Sequence, residues 1–407
     1  MALRLLVREF EGFRRSFADQ IAAFAASHPE IEVIPEFYPI EQVERMMVTD
    51  GPEPWIDVFL CSTDWLPQLI AAGRLVSLSR YLAHDPPPGW PDDWPLSLRG
   101  LQSQGDAVYG VAYHDGPEVL LYRRDWLEDS RERQAFARRF GQELKPPETW
   151  ADFAQVAHHF TRPNEGRFGA VVGAFPDGHN LVYDFLLQLW SRGGEVIQQG
   201  RASFHSDAGR KALDYYCDLF DEGLVNPTCR GLDSVRAGAA FAAGEGAIMW
   251  NWIGFALTAE AFSSAVRGRV GLAPIPRGEG SAGRHVTLNT YWVLTIPVTS
   301  ADPDAAWQFI RHLARPEMDR LTALAGGHAV RRSTWRDADI QRRFPPYRMV
   351  EALHRQARTL PALPQYPAIN AVLNTMMRRA LDGVGREGCL QQAAEEVSAI
   401  LAGRSET

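Results

Sequence analysis

The run Ile56-Asp57-Val58-Phe59-Leu60-Cys61 is short and almost continuously apolar. Such a segment reads as a β-strand covered on both faces, which requires helices on either side of its sheet. The start of the chain agrees. Residues 3–7 are apolar and strand-like. Phe13, Phe17, Ile21 and Phe24 then recur at helical spacing, His28-Pro29 stops that helix, and Ile31-Glu32-Val33-Ile34 reads as the next strand. Strand, helix, strand is the opening of an α/β unit. Ligands of open α/β sheets sit beyond the carboxyl ends of the strands, so the tips at 8–12 and 62–65 are the first candidates for a site. Ser62-Thr63-Asp64 is expected to cap a helix over 65–72, which Gly73 closes.

The remaining pattern repeats this alternation. Residues 108–113 and 118–122 read as strands around the polar turn His114-Asp115-Gly116-Pro117. Thr149 and Asp152 form a capping box that opens a helix to Phe160. Further helices are predicted over 181–192, 207–222, 369–381 and 390–401, and another follows Asp302-Pro303. Trp150, Trp190 and Trp307 fall on apolar helix faces and belong to the core. The proline-rich stretch 85–95 is a rigid surface loop, and residues 403–407 are expected to fray. A chain of 407 residues makes two or three domains, or two large lobes.

Several functions are disfavoured. The net charge is −8 and there is no basic run, which argues against nucleic acid. Cys61, Cys217, Cys229 and Cys389 contain no C-x-x-C pair, so zinc has no spacing to use; Cys217 and Cys229 read as separate buried thiols. No metal or cofactor is expected. No apolar run reaches the roughly 18 residues of a membrane span, and residues 1–7 are too short for a secretory signal. Residues 278–283 match G-x-G-x-x-G, but they lie between two strand-like segments and so read as a hairpin or long surface turn. His158-His159 are adjacent in a helix and point about 100° apart. His114-Asp115 has no Ser or Cys nucleophile nearby in sequence. What remains is aromatic residues beside polar ones at element edges: Asp64-Trp65, Tyr183-Asp184, Trp250-Asn251-Trp252 and the stretch 289–292. Aromatic rings cover the apolar face of a sugar while carboxylates and amides take its hydroxyls.

Four ordered stretches resemble one family. They are 109–125, the helix start Pro146-Pro147-Glu148-Thr149-Trp150-Ala151-Asp152-Phe153, the segment Phe241-Ala242-Ala243-Gly244-Glu245-Gly246-Ala247-Ile248-Met249, and 270–296 followed by Pro303-Asp304-Ala305-Ala306-Trp307-Gln308-Phe309. Together they are similar to the carbohydrate-binding extracellular solute-binding proteins of bacterial ABC importers, the maltose- and oligosaccharide-binding group. The resemblance spans about 3–401.

The resemblance implies an α/β, two-lobed periplasmic-binding-protein fold of type II, with the ligand in a cleft. One lobe would hold 1–112 plus about 297–335, the other 113–296 plus about 336–407. It implies a non-catalytic, monomeric receptor that hands a mono- or oligosaccharide to the membrane permease subunits. It also implies a periplasmic or lipid-anchored location, with a leader that this chain does not show. Carried over residue by residue, the ligand contacts would be Glu9, Phe10, Asp64, Trp65 and Asp115, then His179, Asn180 and Tyr183. Trp250, Asn251 and Trp252 follow, with Asn289, Tyr291 and Arg331. In the block 287–291, Asn289 and Thr290 replace two glycines, which narrows the expected site. Two alternatives stay open: a cationic solute such as a polyamine, held by Asp64, Asp115 and Glu118, and a carbohydrate-active hydrolase or lyase.

Overall fold

The computed structural model describes residues 2–403; Met1 and residues 404–407, which include most of the expected frayed tail, lie outside the described residues. The longer strands, in chain order, are β1 (Ala2–Arg8), β2 (Glu32–Tyr38), β3 (Val58–Ser62), β4 (Val111–His114), β5 (Glu118–Arg123), β6 (Phe168–Val171), β7 (Gly246–Trp252), β8 (Val270–Ala273) and β9 (Trp292–Thr295). The helices used below are α1 (Glu11–Ser27), α2 (Leu66–Ala71), α3 (Trp150–Phe160), α4 (Asn180–Ser191), α5 (Asp207–Asp221), α6 (Pro316–Leu324) and α7 (Tyr347–Arg355).

The chain divides into two compact units. The first runs to Gly116 and includes Asn289–Arg355 and Ala362–Tyr366; the second holds Pro117–Leu288, Gln356–Pro361 and the chain from Pro367 onward.

The first unit is built on a five-stranded sheet in the order β2-β1-β3-β9-β4. β1 runs parallel to β2 and β3, while β9 is antiparallel to β3 and β4. Every residue of β3 is buried, as its apolar run requires. α1 follows β1 directly. Its Phe13, Phe17 and Phe24 are buried as the spacing predicts, but Ile21 is only partly buried and Gln20 is buried instead. The reason is a set of hydrogen bonds that satisfies the amide. Gln20 Nε2 donates to Met318 O at 2.8 Å and Thr322 Oγ1 at 2.9 Å, and its Oε1 accepts from Tyr113 OH at 2.7 Å. Tyr113 also stacks on Phe17 at 4.6 Å, so α1 is tied to β4 and α6. Gly12 permits a close approach: a Cβ there would lie 2.6 Å from the Phe10 ring and 3.2 Å from Gly326 O.

The second unit has a four-stranded sheet in the order β8-β5-β7-β6. β5 is antiparallel to β7 and β8, and β7 is parallel to β6. The Thr149–Asp152 capping box opens α3 as expected. Gly169 in β6 lets α3 lie against the sheet, because a Cβ there would meet Ala157 O at 2.0 Å. Trp150, Trp190 and Trp307 are all buried. All four cysteines are free, buried thiols.

Three expectations are corrected in detail. α2 carries no side-chain cap; the Ser62 hydroxyl instead bonds the Asp64 carboxylate. Of the two readings of residues 278–283 the exposed turn holds and the hairpin does not, since the strand after them (Thr287–Leu288) pairs with Ala357–Arg358 rather than with β8. The unit boundaries fall at 116/117, 288/289, 355/356, 361/362 and 366/367, not near 112/113, 296/297 and 335/336. β9 belongs to the first unit because it is hydrogen-bonded between β3 and β4. α7 belongs there because Tyr347 OH accepts the Ala329 N–H at 2.8 Å and His354 stacks on Trp335 at 4.7 Å.

Candidate functional site

In the first unit the sheet brings four strand ends into one row. Ser62 and His114 both pair with Trp292, at the carboxyl ends of β3 and β4 and the start of β9. Arg8, the last residue of β1, holds its guanidinium 5.2 Å from the Trp292 ring. Trp65 meets Trp292 edge-on at 5.8 Å, and its other face stacks on Phe59 at 6.3 Å. Phe10 and Phe13 lie 6.1 and 4.9 Å from His114. Burial, with His328 adding to it, pushes the His114 imidazole well below its usual value, so it is neutral at physiological pH. Asp64 is partly buried beside this group, and Glu9 is exposed in a forked ion pair with Arg14 (Nε to Oε1, 2.5 Å). This strand-end group offers ring faces, a guanidinium donor and a carboxylate acceptor, the set that takes a polyhydroxylated solute.

The second unit presents its own group where β7 ends and α4 begins. Trp252 is partly exposed and directly opposite Glu118 in the antiparallel pair. Opposed residues share a sheet face, so Trp250, Trp252 and Glu118 all project the same way. Tyr183 meets Trp252 edge-on at 6.1 Å and His179 at 5.5 Å. Asn180, the first residue of α4, is held by Asp177, whose Oδ1 accepts its N–H at 3.0 Å. Asp184, one residue past Tyr183, accepts Trp250 Nε1 at 2.5 Å and Tyr216 OH at 2.9 Å. Burial raises the Asp184 carboxyl to about 7 against those two hydrogen bonds. Glu118 is raised well above the ordinary range by burial and then by the Asp184 charge.

Eight expected contacts are buried: Trp65 and Tyr183, at 2% and 5% exposure, lie beneath the strand-end tryptophans, and the other six turn into the interior. Trp250 is 3% exposed and packed among Trp150, Phe153 and Tyr216, with ring centroids at 5.3, 5.2 and 6.3 Å. Asn251 turns to the other face of β7 and donates to Ser234 O at 2.9 Å. Tyr291 is fully buried in the first unit, its backbone bonded to Thr63. The aromatic one residue later, Trp292, is the one at the strand end. Asp115 is 1% exposed and its Oδ2 lies 2.7 Å from His354 Nε2. Burial pushes the carboxyl up, but His354, His328 and the Gly116 N–H together hold it below its usual range. His354 Nδ1 continues to Ser97 Oγ at 2.8 Å, and Asn289 Nδ2 donates to Ser97 O at 2.8 Å. One hydrogen-bond chain therefore ties Asp115, Asn289 and His354, each within a residue or two of a point where the chain passes between units. Arg331 is buried in an ion pair with Asp93 at 2.8 Å and lies over Trp94 at 4.3 Å.

Sequence reasoning did not assign Arg8, His114 or Trp292 as contacts; it named Glu118 only for the cationic alternative and Asp184 only as the polar neighbour of Tyr183. For Trp292 the period of two along β9 was the available signal. For Glu118 it was an acid opening an otherwise apolar strand.

Among the described residues no group of three or more His, Cys, Asp or Glu is placed to hold a metal, and no helix is long and apolar enough to cross a membrane. Over nearly its whole length the chain has the two-lobed fold of type II periplasmic binding proteins. The maltose-bound MalE3 of T. maritima superposes with a TM-score of 0.85 at 21% identity, covering 97% of this chain and 98% of that one. The solute-binding protein of Agrobacterium radiobacter K84 in complex with ribitol gives 0.83 at 21% identity, covering 98% of each chain. Residues 8–319 match the model of the bacterial extracellular solute-binding protein family, and the chain belongs to that family. A probable ABC transporter-binding protein of Deinococcus radiodurans is 24% identical over 299 residues. That stretch is 71% of this chain and 66% of the relative, just short of two thirds of its length.

Proposed function

We propose that this protein is the non-catalytic receptor of an ABC importer that captures a neutral carbohydrate or polyol outside the membrane and delivers it to the permease. Family membership supports solute binding and an extracytoplasmic location. The observation that carries the choice of solute is that each unit ends its sheet in a partly exposed tryptophan, Trp292 or Trp252, with polar groups beside it. Relatives of the same fold described with maltose and ribitol support the same choice. The candidate contacts are Arg8, Phe10, Asp64, His114 and Trp292 in one unit and His179, Asn180 and Trp252 in the other, while the buried Trp65 and Tyr183 brace the two tryptophans edge-on. Binding energy is drawn from ring faces and hydroxyl hydrogen bonds, and the solute leaves unaltered. A melting-temperature screen over neutral mono- and oligosaccharides and sugar alcohols tests this. The expected result is a saturable rise with at least one of them. A flat response to the whole panel, with a rise for amines or sugar acids, overturns it.

A further inference from the structure

Glu118 stands out among the groups that the fold does not itself use. It is 5% exposed, and its Oε2 has no hydrogen-bond partner among the described residues. Its main chain is satisfied, since Glu118 O accepts from Thr287 Oγ1 at 2.7 Å and the residue pairs with Trp252 in the sheet. The side chain is the part left over. The charged group nearest in effect is another acid, Asp184, both of whose oxygens are already occupied by Trp250 and Tyr216. That neighbour supplies neither a donor nor a positive charge. A buried carboxyl in this condition destabilises the fold, so its presence points to a partner from outside.

The placement says where that partner lies. Glu118 and Trp252 share one face of the sheet, Trp252 is partly exposed, and Tyr183 edges onto it. We propose that Glu118 is a specificity-determining residue whose carboxyl hydrogen-bonds a hydroxyl of the solute lying on Trp252 and excludes solutes that bring a carboxylate there. This rests on the reading of the preceding section and adds a selectivity to it. A hydroxyl both donates and accepts, so it satisfies the carboxyl in either protonation state. A solute carboxylate would be stripped of water there, and among the described residues no positive charge acts on the Glu118 side chain to offset that cost.

Calorimetry on the full chain and on its Glu118→Leu and Glu118→Gln variants tests the proposal, with maltose, ribitol and gluconate as probes. The expected result is that Glu118→Leu weakens whichever neutral probe the wild type binds by about tenfold. The same variant melts higher than wild type without solute, because the unpaired acid is gone. Glu118→Gln, which keeps a donor and an acceptor, binds within about threefold of wild type. Gluconate binds more weakly than ribitol. A Glu118→Leu variant that binds like wild type overturns the inference alone. So does one that loses affinity while melting lower, which marks a structural role. Gluconate binding as tightly as ribitol overturns the selectivity. A wild-type chain silent toward both maltose and ribitol overturns the functional reading and this inference with it.

Discussion

Asp184 is the interior group whose ionisation the fold opposes most legibly, and replacing it by asparagine has a signed consequence. Its carboxyl is held near 7 instead of the ordinary 3.8, chiefly by burial. The unfolded chain therefore releases this proton from about pH 4 upward, while the folded chain keeps it until near neutrality. Stability from this residue is complete below pH 4 and is lost as pH rises toward 7. Each pH unit across that window is worth about 1.4 kcal/mol, so the whole loss is about 4 kcal/mol at most. Asparagine at 184 still accepts from Trp250 Nε1, and its amide can donate to the Tyr216 oxygen, so both hydrogen bonds of the acid are matched. Urea midpoints of wild type and Asp184→Asn at intervals between pH 4.5 and 7.5 read the difference. The wild type is expected to lose several kcal/mol relative to the variant over that interval. Parallel pH profiles for the two proteins would refute the assignment of a buried, reluctant carboxyl at this position.

Three further expectations follow from the same geometry. Trp292→Ala and Trp252→Ala are expected to lower solute affinity by about 1–3 kcal/mol in calorimetry, with little change in melting. Tyr291→Ala and Trp250→Ala are expected to behave oppositely, costing about 3–5 kcal/mol of stability in denaturant titrations. Equal loss of affinity in all four would contradict the division between strand-end and interior rings. Arg331→Met leaves Asp93 without its buried partner and is expected to destabilise by about 3–5 kcal/mol, measured in urea; an unchanged midpoint contradicts the ion pair. A thiol reagent is expected to find almost no reactive sulfur in the native protein and all four thiols after denaturation, because Cys61, Cys217, Cys229 and Cys389 are free and buried.

Much of the architecture was legible because local rules and tertiary packing agree. The apolar run of β3, the phenylalanine spacing of α1 and the capping box at Thr149 each state an element without help from elsewhere. Gln20 was illegible for the opposite reason: its burial depends on Tyr113, Met318 and Thr322, all remote in sequence. The site was legible only to the nearest segment. The family resemblance pointed to the end of β9, but neighbouring residues of an extended chain face opposite ways, so a one-residue difference exchanges Tyr291 for Trp292. Asp115 and Arg331 sit in polar stretches that read as loop tips. Their partners, His354 and Asp93, lie 239 and 238 residues away, and no local pattern announces such a pair.

The central claim is capture without chemistry. Equilibrium dialysis of the purified chain against labelled maltose and labelled ribitol, with chromatography of the solute recovered from the protein side, measures both halves at once. The account predicts saturable retention of at least one solute at one molecule per chain, and recovery of that solute with its mobility unchanged. Retention of neither, or recovery of maltose as glucose, would contradict it.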